Sequence, residues 1–217
     1  MLALLPLTAA AQSGTVVADP AIVQYVDGIV RKLALAAGPK VALQLHVVFG
    51  DMPSAITEAG GSCSLTTKLV LATASEAELA GVIAHQVGHI VLGPPKAPPN
   101  VLPATAFLPP ASNGLCVRGT SVLMPMGMLK EQRDLESQAD LLGLEYMDKA
   151  GYDPSALADF YQRLVKGPLA FPTATRKRAD ALRNRRTYVV NTSEFRDFQA
   201  GVANAIPSRG PGPSLRK

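Results

Sequence analysis

The chain has no tryptophan, 5% aromatic residues, two cysteines and three histidines in 217 residues, and only 18% of it is charged. Each shortage closes off a class of function. Stacking platforms for nucleic acid need aromatics, and the densest cationic stretch (Arg176, Lys177, Arg178, Arg183, Arg185 and Arg186) has none interleaved. That stretch reads as a solvated helix face, and nucleic acid is not an expected partner. Cys63 and Cys116 have no second cysteine or histidine at ligand spacing, which excludes a zinc knuckle. They read either as one disulfide in an oxidising compartment or as two buried thiols. No stretch approaches the ~18 uninterrupted apolar residues of a membrane-spanning helix, so the mature protein is expected to be soluble, meeting a membrane only through partners. Nothing in the sequence sets an oligomeric state.

What is present is a 47% apolar chain with net charge +4, long enough to bury one substantial core. Met1 to Ala11 is apolar and alanine-rich. Ala9-Ala10-Ala11 before Gln12 fits the small-x-small cleavage pattern of a secretory signal, although the basic n-region is missing. Residues 1–18 therefore read as a signal-peptide remnant or a flexible N-terminus, and the first alternative implies a periplasmic or secreted protein. The main domain is expected over 19–190, followed by a short helix and a flexible tail over 191–217.

Asp19-Pro20 pairs an N-cap with proline at the first helical position, and Ile22, Val26, Ile29 and Leu33 recur at helical spacing to about Gly38. Apolar residues then take the odd positions from Val41 to Phe49, the mark of a strand, with His46 on its other face. A second strand is expected from Ser62 to Leu71. Ser75 with Glu78 forms a capping box that opens a helix to about Leu92. Seven prolines between Gly93 and Gly119 exclude a long helix or central strand there. Helices are expected again from Met126 to Ala150, stopped by Gly151, from Asp153-Pro154 onward, and over 176–186. Helices gathered around a small sheet point to an α+β fold.

The chemistry lies on the helix opened by Ser75. His85 and His89 are four residues apart, so their imidazoles share a helix face and reach one metal ion, as in an HExxH helix. Such a pair alone is a weak signal. Glu136 supplies a third ligand, and two histidines, a glutamate and a water make a catalytic zinc shell. Asp140, one turn beyond Glu136, is placed to accept from a ligand imidazole and fix its tautomer. One zinc ion per chain is the implied cofactor. The residue after His85, where HExxH holds its general base, is Gln86.

Three motifs in order carry a family resemblance: Glu76-Ala77-Glu78-Leu79-Ala80-Gly81-Val82-Ile83-Ala84-His85, then Glu136 to Asp140 with Gly143-Leu144-Glu145-Tyr146-Met147, then Ala150-Gly151-Tyr152-Asp153-Pro154. Over residues 19 to 187 the chain resembles the Ste-type CAAX prenyl protease group of zinc metallopeptidases, which includes soluble periplasmic relatives. The resemblance implies a zincin-like (gluzincin) fold, zinc held by His85, His89 and Glu136, and a peptide or unfolded protein segment as partner. It also implies that this peptide lies extended beside the strand of residues 62–71. Arg178, or Arg176 if the register slips, matches an arginine of the family.

Three departures stand out. Gln86 replaces the catalytic glutamate, Gln138 stands in Glu136-Ser137-Gln138-Ala139-Asp140 where the family has glutamate, and Phe171-Pro172 replaces a His-Pro dipeptide. A glutamine orients a water but cannot take its proton. The chain is thus read as a zinc metalloendopeptidase by descent with its base lost, or as a non-catalytic peptide-binding or chaperone-like envelope module. Gln86 is either natural, introduced to trap substrate, or compensated by another base.

Overall fold

A computed structural model describes residues 15–39, 41–57, 61–93, 105–107, 126–164, 173–183 and 187–207. Helix α1 (Pro20–Ala37) begins as its first residues dictate. Asp19 accepts from the amides of Ala21 (2.8 Å) and Ile22 (3.3 Å), Pro20 takes the first turn, and Ile22, Val26, Ile29, Val30 and Leu33 are buried. Ahead of it, residues 15–17 run antiparallel to strand β1 (Gln44–Val48). The Val17 amide donates to Val47 O (2.8 Å) and the Phe49 amide to Thr15 O (3.0 Å). Val17 is buried, so the packed body starts before residue 19, and the end of the segment expected to be loose is tied down. Residues 1–14 lie outside the described residues.

Strands β2 (Ala55–Thr57), β3 (Ser62–Thr66) and β4 (Thr105–Phe107) join β1 in one mixed sheet of order β1-β3-β2-β4. β3 is parallel to β1 and antiparallel to β2, and β4 is antiparallel to β2. With three residues each, β2 and β4 are too short to show an alternation in sequence. β4 lies within the proline-rich stretch, but at the end of the sheet, where proline neighbours are tolerated.

Two expectations are corrected here. The strand from Ser62 to Leu71 stops at Thr66, whose hydroxyl accepts from the Leu69 amide (3.3 Å) and caps a short helix, α2 (Thr67–Ala72). In addition, β3 has a hydrogen-bonded neighbour on each side, so its backbone groups are already used and no extended peptide can lie beside it.

Helix α3 (Glu76–Leu92) is the axis of the fold, buried at every residue from Glu76 to His89. Ser75 Oγ accepts from the Glu78 amide (3.2 Å). Glu78 turns back to the Ala74 amide (2.6 Å) rather than to Ser75, and also pairs with Arg163, so the capping box forms in altered form. In the same turn the buried Glu76 carboxylate accepts from Tyr25 Oη (2.7 Å), Tyr152 Oη (2.8 Å), the Thr192 amide (3.1 Å) and the Thr192 hydroxyl. These four bonds tie three distant parts of the chain to the start of α3. Burial and the Glu76 carboxylate hold the Tyr152 phenol well above its ordinary pKa, so it remains a donor.

Helix α4 (Met126–Ala150) ends at Gly151, whose φ of 85° is the left-handed stop expected there. Asp153 accepts from the Ser155 amide (2.9 Å) to start α5 (Ser155–Leu164). Helix α6 (Thr173–Leu182) lies a few residues upstream of the expected 176–186, and α7 (Phe195–Ala205) buries Phe195, Phe198 and Val202 in the common core. The architecture is mostly helical around a small mixed sheet, in agreement with the expected α+β class. No described helix is long and apolar enough to cross a membrane.

Candidate metal centre

The site exists because α3 and α4 touch backbone to backbone. A Cβ on Gly88 would stand 2.6 Å from Ala139 O, and one on Gly143 would stand 3.0 Å from His85 N. Each helix therefore has a glycine where the other presses against it, and only glycine leaves room for that approach. The result is that His85 and His89 from α3 meet Glu136 from α4, with one ligand atom from each inside 4.8 Å of the others.

The triangle is tighter than that limit. The two Nε2 atoms are 3.0 Å apart, and Glu136 Oε2 lies 3.3 Å from His85 Nε2 and 3.4 Å from His89 Nε2. Tetrahedral zinc with bonds of about 2.0–2.2 Å separates its donors by roughly 3.3–3.6 Å, so the donor set and its spacing fit one such ion. The imidazoles are 2% and 6% exposed whereas the Glu136 side chain is 32% exposed, which puts the open side of the cluster at α4.

Behind the triangle, Asp140 Oδ1 lies 2.8 Å from His85 Nδ1 and accepts from Tyr161 Oη at 3.0 Å. A proton held on Nδ1 leaves the Nε2 lone pair facing the cluster. Burial alone would lower the His85 pKa, but hydrogen bonds and charge from Asp140 and Glu136 outweigh it and raise the metal-free imidazole to about 10. For Glu136 burial pulls upward, and the two histidines override it and hold the carboxyl down at about 2. Tyr161 is raised well above the ordinary phenol value by burial first and Asp140 second, so it stays a neutral donor. Its role was not legible in sequence, because nothing near residue 161 points back to Asp140.

Gln86 is fully buried, and its Oε1 accepts from Thr57 Oγ1 of β2 at 2.5 Å. Its Nε2 has no hydrogen-bond partner among the described residues. Thr57 is the second residue that sequence reading missed, since β2 itself gave no signal.

Arg178 stands apart from this set. Its Nη2 donates to Glu145 Oε1 (2.6 Å) in an exposed ion pair, nine residues along α4 from Glu136, about 13 Å by helix rise. Arg176, the alternative, pairs with Asp159 (2.9 Å) and Gln162 (2.8 Å) on α5. Neither arginine joins the cluster. His46 is exposed on β1, and Gln138 is exposed on α4. Cys63 is buried in β3, while Cys116 and Phe171-Pro172 lie outside the described residues.

The chain is similar in sequence to known proteins over most of its length. The chain is 26% identical over a gapped alignment of 223 positions to the β-barrel assembly-enhancing protease of Escherichia coli (strain K12), covering 89% of this chain and 45% of that protein. It is 25% identical over 168 residues to the protein of the same name from Yersinia pestis, covering 70% of this chain and 35% of the relative. With the mitochondrial metalloendopeptidase OMA1 of Schizosaccharomyces pombe it shares 27% over 145 residues, 64% of this chain and 43% of that one. The chain thus spans less than half the length of these relatives. The sequence profile of Peptidase family M48 matches residues 20–94 and 108–203, a span that includes both helices of the metal cluster. On that match, and on the cluster those helices build, the chain belongs to the M48 metallopeptidases.

Proposed function

We propose that this chain is a zincin-like member of the family that holds one zinc ion through His85, His89 and Glu136 and binds a peptide or unfolded protein segment with little or no hydrolysis. The observation that supports this reading is the pairing of a three-ligand cluster with a buried amide, Gln86, at the position of the general base. Zinc bound there would supply Lewis acidity, lowering the pKa of a water and polarising a carbonyl. Asp140 and Tyr161 orient His85 for that task. Gln86 donates or accepts a hydrogen bond but takes no proton, and general acid–base help is worth about 10²- to 10⁴-fold. The additional departures at Gln138 and Phe171 favour a natural origin for Gln86. The alanine-rich N-terminus and relatives named for β-barrel assembly favour a cell-envelope setting.

A second reading, a non-catalytic peptide-binding or chaperone-like module whose site would not cut even with its base restored, shares the ligands and differs in the response to Gln86→Glu. The test is cleavage of an unstructured protein by the zinc-loaded chain and by Gln86→Glu, each with a chelator control. The expected result is cutting by Gln86→Glu, about 10²- to 10⁴-fold above the parent chain and abolished by chelator. If neither protein cuts, the site has lost more than its base and the binding module is the better description.

A further inference from the structure

We infer that the metal centre is adapted to hold a peptide by its free C-terminal carboxylate, with the Gln86 side-chain amide as the donor to that carboxylate; this rests on the proposal above that the site holds zinc and peptide. Gln86 Oε1 and Thr57 Oγ1 are 2.5 Å apart. The hydroxyl donates and the amide oxygen accepts. The Thr57 hydroxyl therefore engages the oxygen of the amide, and the nitrogen is the end left over. Nε2 is buried in a side chain with no measurable exposure and has no partner among the described residues. Buried donors are rarely left unmet, and an unmet one next to convergent ligand residues favours a ligand that brings an acceptor.

The position of Gln86 says which acceptor. It follows His85 directly and stands three residues before His89, so the two side chains are neighbours on the surface of α3, next to the cluster. A glutamate here would be an acceptor and would repel an anion. Glutamine pinned by Thr57 is a donor, so the polarity of the position is inverted. With zinc in place, its two charges are matched by Glu136 and Asp140, so Gln86 leaves the site neutral where a glutamate would make it negative. A carboxylate would accept from the Nε2 donor in a charge-assisted bond, about twice as strong as the bond that a neutral water or carbonyl oxygen would accept. The ligand class that fits is therefore the carboxylate end of a peptide, the group that peptide hydrolysis releases, rather than an internal amide.

The experiment is calorimetric titration of the zinc-loaded chain with an N-acetylated pentapeptide ending in a free carboxylate and with the same peptide ending in an amide. Zinc content and melting are recorded for every protein. The parent chain should bind the acid at least about tenfold more tightly than the amide, the size of a charge-assisted hydrogen bond. Gln86→Leu should bring the two within about twofold, and Gln86→Glu should weaken the acid further. Thr57→Val, which frees the amide to rotate, should narrow the preference without abolishing it. Equal binding of acid and amide to the parent overturns the inference and leaves the peptide-holding proposal standing. So does a preference that survives intact in Gln86→Leu, because the metal alone would then account for it. If neither peptide binds the zinc-loaded parent, the inference and the peptide-holding proposal fall together.

Discussion

Helix α3 carries two buried polar centres ten residues, about 15 Å, apart, and they are built on opposite principles. Glu76, in the first turn, has four donors on its carboxylate, all from the protein. Gln86, in the third turn, has a single bond to Thr57 and a donor atom with no partner among the described residues, beside three ligand atoms crowded around one point. Both side chains are buried to nearly the same degree. Burial of a polar group therefore does not distinguish a structural centre from a functional one, and neither does an unmet hydrogen bond by itself, since the buried Thr175 hydroxyl also has no partner among the described residues. What sets Gln86 apart is that its unmet donor stands next to convergent ligand residues, whereas the Glu76 carboxylate has its donors from the protein.

The sharpest way to break this contrast is to empty the first centre. Glu76→Ala strands two phenols and the Thr192 groups in the interior, and is expected to cost on the order of 3–5 kcal/mol. For a chain of this size that is a fall in melting temperature of roughly 10 °C or more. Zinc per folded molecule should be unchanged; a variant that melts like the parent but loses zinc would reverse the assignment of the two centres.

Asp140→Asn acts on the second centre instead. It removes the charge that holds the His85 Nδ1 proton, and zinc affinity should drop about 10- to 100-fold with the fold kept. Tyr161→Phe, which removes a donor to the same carboxylate, should move affinity in the same direction by less. Competition with a chelating dye measures both, and unchanged affinity in Asp140→Asn would remove Asp140 from the site.

Protonation acts on the same centre in the metal-free protein. The folded pKa of His85, about 10, is above its unfolded 6.5, so its contribution is complete below pH 6.5 and is lost as pH rises toward 10. That of Glu136, about 2, is below 4.5, so its contribution is complete above pH 4.5 and is lost as pH falls toward 2. Melting of the metal-free chain should decline on both sides of that window, and zinc uptake near neutral pH should release a proton, seen as a buffer-dependent binding enthalpy. Uptake without proton release would show that His85 is not held charged.

Arg178→Ala should do least. Its pair with Glu145 is exposed, a class worth about 0–1 kcal/mol, and neither zinc content nor melting should change appreciably. A marked loss of zinc would return Arg178 to the site.

Much of this arrangement was legible because its signals are local. The Asp19-Pro20 start of α1, the Gly151 stop of α4 and the four-residue spacing of His85 and His89 each follow from contacts within a turn or two of helix. Other features failed for the same physical reason. A three-residue strand shows no periodicity, so β2 was missed, and with it Thr57. Residues 67–72 have the apolar character of a strand, but the Thr66 hydroxyl turns them into a helix by a hydrogen bond that composition does not reveal. Arg178 followed a family pattern, while its actual partner is set by how α6 lies on α4.

The sequence by itself determined which helix presents the two histidines, which residue replaces the base and which helix supplies the third ligand. These are matters of residue identity and helical spacing, and they survive any packing of the helices. Only the tertiary structure decided that Gly88 and Gly143 let α3 and α4 close on one another, that Thr57 holds the oxygen of Gln86 from 29 residues away, and that Thr192 completes Glu76 from 116 residues away. Such contacts join points remote in the chain, and their geometry is set by the packing of the whole core rather than by any segment that takes part in it.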